Sequence, residues 1–253
     1  MLMAAAACAF SLAAADAYTI YPIPHAQIAG KAACSLSATT TVIAESGIDQ
    51  PTKNRLCDVL KQHGIVAEFA AKPSKTNANI YLGVNGSKGD ADRLAKKLKL
   101  KRDIFANGKF DRHIISLTAQ KNGNAQLLIL GENTDAVFFA LASLEQMLDG
   151  GSSNMACVTI YDYADIEDRG VVEGYYGVPY STAVTEDLLR FMMRYKMNSY
   201  MYGAKSDPYH SGYWGKPYPE KLTAEQKSMG CFTAVDIKQM CEVSVATKVN
   251  FIW

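Results

Sequence analysis

Two short segments of this chain combine glycine, aromatic and charged residues in a pattern suited to binding a small polar ligand. The first, residues 173–180, reads EGYYGVPY, and the second, residues 205–210, reads KSDPYH. A glycine such as Gly174 lets the backbone approach a ligand closely. A tyrosine such as Tyr175 offers a flat apolar face and a hydroxyl, as binding to a sugar ring requires.

The second segment adds charge. The ammonium group of Lys205 can present three hydrogen-bond donors to a pocket, and Asp207 follows two residues later. A structural alternative, in which Lys205 forms an ion pair with Asp207 or Glu173, fits the composition equally well. Paired charges occur both in binding sites and in purely structural ion pairs.

Each segment follows a strand-like run, Gly170–Glu173 and Ser199–Ala204. The sequence between them predicts an amphipathic helix with Thr185 as its N-cap. After a long loop, residues 205–232, a second helical pattern leads to a strand-like run at Val249–Trp253. Strand, helix, strand, helix, strand is the opening of a parallel α/β fold, and in βα-barrels the carboxyl ends of the strands hold the chemistry.

Upstream of about residue 165, shorter strands alternate with helices. Mixed strands with helices on one side predict an α/β or α+β domain of ordinary size. The predicted strands are Thr39–Ala44, Ile65–Phe69, Asn79–Val84, His113–Ala119, Ala125–Leu130 and Cys157–Tyr161. Three helices are predicted: one capped by Asp49, one over Asp90–Leu100, and one that begins at Asn133 or Thr134.

Composition excludes several function classes. The chain has 253 residues, 49% hydrophobic content and a net charge of +1, which allows one large domain or two ordinary ones and gives no sign of nucleic-acid binding. Six cysteines and four histidines are scattered without metal-ligand spacing, so neither a zinc site nor a disulfide framework is predicted. The carboxylates of residues 161–168 lack the spacing of a calcium loop and predict a solvated linker.

The first 17 residues predict export to a periplasm or beyond. They are apolar and end in Ala15-Asp16-Ala17, which fits a signal-peptide cleavage site. The apolar run is too short to span a membrane comfortably. A buried N-terminal helix and lipid attachment at Cys8 are the alternatives.

Four pieces of the second half resemble, in order and spacing, the family 84 glycoside hydrolases, which are O-GlcNAcases and β-N-acetylglucosaminidases. The pieces are residues 169–177 (RGVVEGYYG), 198–202 (NSYMY), 205–210 (KSDPYH) and 214–219 (WGKPYP). The resemblance implies an N-terminal α/β domain followed by a (β/α)8 TIM barrel. It also implies removal of terminal β-linked N-acetylglucosamine with retention, in which the acetamido oxygen of the substrate attacks. The partner would be an N-acetylglucosamine-containing glycan, and no cofactor or metal is implied.

The resemblance assigns substrate-binding roles to four residues. Gly174 becomes a backbone contact to the sugar and Lys205 a hydrogen-bond donor to it. Tyr175 stands where the family usually has phenylalanine, and it keeps an aromatic surface. Ser206 replaces the first of two aspartates that usually follow the lysine, which leaves Asp207.

No catalytic residue is predicted within this chain. The family uses two adjacent aspartates beyond the third barrel strand, and the sequence contains no such pair. We therefore expect a signal peptide (residues 1–17), an N-terminal domain (18–165) and an incomplete barrel (166–253) truncated after its third strand and inactive as it stands. A noncatalytic glycan-binding or structural module is the alternative. A chitinase is less well supported, because the spaced acidic run of those enzymes is missing.

Overall fold

The computed structural model describes residues 17–174, 178–203 and 215–252. No helix in these ranges is long and apolar enough to cross a bilayer. The strands are β1 (Ala26–Cys34), β2 (Thr39–Ala44), β3 (Val66–Phe69), β4 (Ala78–Val84), β5 (Phe110–Ala119), β6 (Ala125–Gly131), β7 (Met155–Ala164), β8 (Gly170–Glu173), β9 (Ser199–Tyr202) and β10 (Asn250–Ile252). The helices are α1 (Gln50–Gln62), α2 (Asp90–Lys97), α3 (Thr134–Leu148), α4 (Thr182–Arg194), α5 (Ala224–Ser228) and α6 (Ala234–Thr247), with a 3-10 turn at Asp103–Ala106.

The first seven strands form one mixed sheet in the order β1-β7-β5-β6-β4-β2-β3. Strands β3, β2, β4 and β6 run parallel to one another, and β5, β7 and β1 continue the sheet in antiparallel fashion. Strands β5 and β6, both predicted from the sequence, form a hairpin in which Ala119 pairs with Ala125. Strand β2 reaches its parallel partner β3 through helix α1, whereas the antiparallel strands β5 and β6 are joined by a short turn, as the lengths of these connections allow. The α/β architecture predicted for this part is confirmed.

Helices cover both faces of this sheet, so the prediction of helices on one side was wrong. Alternate residues of a strand point to opposite faces. On β6, Leu127 packs in the core with α1 and α3, whereas Leu128 packs with α2 on the other face. The apolar run Leu127–Leu130 reflects this, because a strand covered on both faces has no polar side.

Several element boundaries differ from the sequence prediction. Helix α2 ends at Lys97 rather than Leu100, and Lys99 then adopts a left-handed conformation with φ of 55°. Helix α4 begins three residues before Thr185, because Ser181 is its N-cap and accepts a hydrogen bond from the Val184 N–H. The expected long loop contains the short helix α5, which has its own capping box.

The last three strands form a parallel sheet in the order β10-β9-β8. Helix α4 connects β8 to β9, and α6, capped by Thr233, precedes β10, as expected for the first part of a barrel. Gly170 is required at the start of β8, since a Cβ there would lie 1.5 Å from the Ser199 carbonyl oxygen. The apolar core of this unit is a cluster that includes Leu189, Met192, Tyr200, Tyr202, Phe232, Met240 and Val249.

Charged side chains connect the helices and loops of the seven-stranded sheet to those of the three-stranded sheet. Arg55 on α1 is buried, and its guanidinium donates to the Phe138 carbonyl of α3 at 2.7 Å and to the Met193 carbonyl of α4 at 3.0 Å. Lys196 donates to Asp162 at 2.6 Å. Asp162 is therefore a buried ion-pair partner at the end of β7, not part of a solvated linker as the sequence predicted.

Candidate functional site

The carboxyl ends of β8 and β9 lie side by side, as the sequence predicted. Glu173 pairs with Tyr202 in the parallel register. The Gly203 N–H then donates to the Glu173 carbonyl at 2.8 Å. The chain therefore leaves both strands at one edge of the sheet, into the post-β8 segment (residues 174–180) and the post-β9 segment (residues 203–214).

Gly174 is exposed at the beginning of the post-β8 segment. A Cβ placed on it would meet only the Val172 Cγ1 atom, at an ordinary contact distance of 3.5 Å. The packing of the described residues therefore does not require glycine here. Close approach of a ligand to the backbone is a sufficient reason for it.

The other three predicted site residues, Tyr175, Lys205 and Asp207, lie outside the described residues. Their strands and flanking residues are described, and these bring the two segments together at Glu173 and Gly203. The prediction that both segments share one end of the sheet is consistent with this arrangement, while the four assigned roles stay predictions.

Glu173 has a structural role that the sequence analysis missed. Its side chain is buried, and its carboxylate accepts hydrogen bonds from the Tyr180 N–H at 3.0 Å and from the Tyr200 hydroxyl. The sequence analysis considered Glu173 only as an ion-pair partner for Lys205. A charged residue at the end of a short apolar strand and directly before glycine was the available signal, since buried carboxylates need partners.

Aromatic rings support this end of the sheet from the helix side. Tyr202 packs against Phe232 with ring centroids 5.8 Å apart, and Tyr200 packs against Phe251 at 5.3 Å. The beginnings of α4 and α6 are tied by a 3.3 Å contact from the Thr182 hydroxyl to Asp236. Burial alone would raise the pKa of Asp236, but hydrogen bonds from Thr233 and Thr182 hold it below its ordinary value. Asp236 therefore stays ionised as a capping group.

A second concave region lies near the opposite, amino-terminal ends of β8 and β9. It is a cavity of about 380 Å³ between the two sheets, with Asp111, Asp162, Arg169 and Lys196 among its lining residues. These charges pair with one another, since Lys196 contacts Asp162 at 2.6 Å and Arg169 contacts Asp111 at 2.5 Å. We interpret the cavity as part of a charged junction, because these four charged side chains are already paired within the protein.

Metal and thiol chemistry find little support in the described ranges. They contain no group of three or more His, Cys, Asp or Glu residues arranged to hold a metal ion. The cysteines they include, which are Cys34, Cys57, Cys157, Cys231 and Cys241, are free thiols. Burial raises the pKa of Cys34 to about 12, with the neighbouring Cys157 adding to the effect, so Cys34 is an unreactive core residue.

Comparisons with known proteins agree with the division into two sheets. Residues 17–163 match glycosyl hydrolase family 20, domain 2, and residues 169–253 match the beta-N-acetylglucosaminidase family. The chain is similar to the structure of CpGH84D, with 35% identity and a TM-score of 0.80, over 93% of this chain and 37% of that one. It is also similar to the structure of CpGH84B, with 24% identity and a TM-score of 0.71, over 92% of this chain and 36% of that one.

A more distant likeness shows the fold alone. The GH20 exo beta-N-acetylglucosaminidase from Vibrio harveyi, solved in complex with N-acetylglucosamine, is 13% identical with a TM-score of 0.63, over 93% of this chain and 35% of that one. This chain thus spans little more than a third of the length of these three structures. It belongs to the N-acetylglucosaminidases of the family 84 and family 20 type, and it spans their N-terminal α/β domain and part of the barrel.

Proposed function

We propose that this chain contributes part of the sugar-binding site of a β-N-acetylglucosaminidase. The enzyme removes terminal β-linked N-acetylglucosamine from a glycan or glycoconjugate with retention, and the acetamido oxygen of the substrate acts as the nucleophile. The observation that supports the proposal is the 2.8 Å bond from the Gly203 N–H to the Glu173 carbonyl, because it joins the last residue of β8 to the first residue after β9. The match of residues 169–253 to the β-N-acetylglucosaminidase family supports it.

Each predicted residue has a separate role in the proposed site. Gly174 contacts the sugar through its backbone, which its exposed position and the room around it allow. Lys205 donates hydrogen bonds to the sugar hydroxyls, Asp207 accepts from them, and the ring of Tyr175 covers an apolar face of the sugar.

In this scheme two adjacent aspartates do the chemistry, one orienting and polarising the acetamide and the other serving as general acid and base, and the 253 residues contain no such pair. We therefore propose that these residues alone bind the sugar without turning it over. No cofactor or metal takes part in this scheme, because the substrate's acetamide supplies the nucleophile.

We also propose that the protein is exported, with residues 1–17 as its signal peptide. Export would bring the site to extracellular or periplasmic glycans. The domain limits proposed with it are residues 18–165 for the α/β domain and 166–253 for the portion of the barrel. N-terminal sequencing of the mature protein tests the first limit, since the proposal requires a chain that begins at Tyr18.

Hydrolysis of an aryl N-acetyl-β-glucosaminide by the full gene product tests the proposed function. We expect the wild-type protein to turn over the substrate and the Lys205→Ala variant to lose most of its kcat/KM, because hydrogen bonds to a charged donor are strong. The matched control is Lys227→Ala, which removes an exposed lysine on α5 and should leave turnover unchanged.

The same assay separates the enzyme from the noncatalytic alternative. A glycan-binding or structural module would show no turnover in the wild-type protein. Turnover that survives Lys205→Ala at the wild-type level would remove the proposed role of Lys205.

A further inference from the structure

Glu173 is a buried carboxylate at the end of a short strand. Only 2% of the residue is exposed, and Gly174, the first proposed sugar contact, follows it directly. Burying a carboxylate is unfavourable unless hydrogen bonds replace its lost hydration. A residue of this kind is retained when its hydrogen bonds fix an arrangement that an apolar side chain could not fix.

The Glu173 side chain closes the post-β8 segment. Its Oε1 atom accepts from the Tyr180 N–H at 3.0 Å, so the two ends of residues 174–180 are held together across the segment that carries Tyr175. Its Oε2 atom accepts from the hydroxyl of Tyr200, a fully buried residue of the neighbouring strand β9.

The Glu173 backbone holds the post-β9 segment. Its carbonyl accepts from the N–H of Gly203, the residue that follows β9. Space at this point is limited, because a Cβ on Gly203 would lie 3.1 Å from the same carbonyl oxygen. One residue therefore contacts the beginning of one segment and the end of the other, together with the strand between them.

We infer that Glu173 is a positioning residue of the sugar site, which aligns the post-β8 and post-β9 segments without touching the substrate itself. This inference rests on the proposed function. Binding and catalysis require groups held within a fraction of an ångström of their working positions, and small displacements cost large factors in rate. A carboxylate suits the task, since its two oxygens can accept from two donors.

Turnover by Glu173 and Tyr200 variants of the full gene product tests the functional part. We expect Glu173→Ala to raise KM for an aryl N-acetyl-β-glucosaminide roughly tenfold or more, with a smaller change in kcat, because the misaligned groups bind the sugar in the ground state. Glu173→Gln, which keeps one acceptor oxygen, should recover part of the loss. Tyr200→Phe should raise KM alone and add little to Glu173→Ala, because both changes remove the same bond.

The matched control is Glu145→Gln. Glu145 is also a buried carboxylate, but it pairs with Arg194 at 2.9 Å at the junction of the two sheets. This variant should lower the melting temperature and leave KM at the wild-type value. If Glu173→Ala also lowers only the melting temperature, Glu173 is a structural residue and the inference is wrong.

Amide hydrogen exchange tests the anchoring part separately from activity. In Glu173→Ala we expect faster exchange in peptides that contain Tyr180, with unchanged exchange in α1. A wild-type protein without turnover would refute the proposed function, and the exchange data would still decide whether Glu173 holds the segment. Unchanged exchange at Tyr180 together with unchanged KM in Glu173→Gln and Tyr200→Phe would overturn the inference.

Discussion

His113 makes the stability of this fold depend on pH. The residue is 1% exposed, and its Nδ1 atom lies 2.7 Å from the Asp111 carbonyl oxygen. Its Nε2 atom has no hydrogen-bond partner within the described ranges. Burial, supported by the nearby charge of Lys196, lowers the pKa of His113 to about 4 from an ordinary 6.5, although Asp162 opposes the change.

The sign of the effect follows from the two pKa values. Between pH 6.5 and about 4, the unfolded chain binds a proton at His113 and the folded chain does not. The free energy of unfolding therefore falls as the pH falls through this interval. At about 1.4 kcal/mol per pH unit, the loss over the whole interval is about 3 kcal/mol.

The titration of Asp162 does not obscure the loss of stability that His113 causes in this pH interval. Burial alone would raise its pKa, but Lys196 and His113 hold the pKa below its ordinary value of 3.8. A carboxylate with a lowered pKa contributes stability that is lost only when the pH falls below its unfolded value. The loss of stability due to Asp162 therefore begins at the pH at which the loss due to His113 ends.

Urea denaturation between about pH 7 and 4.5 measures the effect, with His113→Asn as the variant. The asparagine amide can donate to the Asp111 carbonyl but does not titrate in this range. We expect the variant to lose about 3 kcal/mol less stability than the wild type over the interval. The control is His63→Asn, which replaces a histidine at the partly exposed end of α1. Equal slopes for wild type and His113→Asn would refute the reasoning.

Three further substitutions test particular contacts. Gly170→Ala should cost on the order of 3 kcal/mol in urea denaturation, because its Cβ would lie 1.5 Å from the Ser199 carbonyl oxygen, whereas Gly150→Ala, with 3.9 Å to its nearest neighbour, should be near neutral. Asn133→Ala should cost about 1 kcal/mol by the same measurement through loss of the α3 cap, and no change would refute that role. Gly174→Ala should leave the free energy of unfolding unchanged or raise it by up to about 1 kcal/mol, while KM for the sugar rises. A large loss of stability would show that glycine serves the fold there.

Local signals were enough to predict much of the fold. Strands β2 (Thr39–Ala44) and β8 (Gly170–Glu173) have the bounds that their β-branched and apolar runs indicated. The cap Asp49 was identified from the residues that follow it. These signals are short-range, so the rest of the chain does not alter them.

Features that depend on distant partners were not predicted. Strand β1 (Ala26–Cys34) is rich in small residues and largely exposed, and it exists through its pairing with β7. The position of α2 on the second face of the sheet follows from long-range packing. The buried pair of Asp162 and Lys196 joins a residue of the predicted solvated linker to a residue 34 positions later in the chain.

The candidate site also has one part that local sequence signals predicted and one part that depends on distant partners. The glycine and tyrosine pattern identified Gly174 and its segment, because the residue types themselves suggested ligand contact. The anchoring by Glu173 depends on Tyr180 and on Tyr200, which is 27 residues away in sequence. Spacing alone cannot show such a bond, because the register of β8 against β9 decides it.

A comparison of two substrates tests the central claim most directly. The full gene product is assayed on an aryl N-acetyl-β-glucosaminide and on the matching aryl β-glucoside, which lacks the acetamide. If this chain is part of a substrate-assisted β-N-acetylglucosaminidase, only the first substrate is hydrolysed, because the second has no internal nucleophile. Hydrolysis of both substrates at similar rates, or of neither, would contradict the assignment.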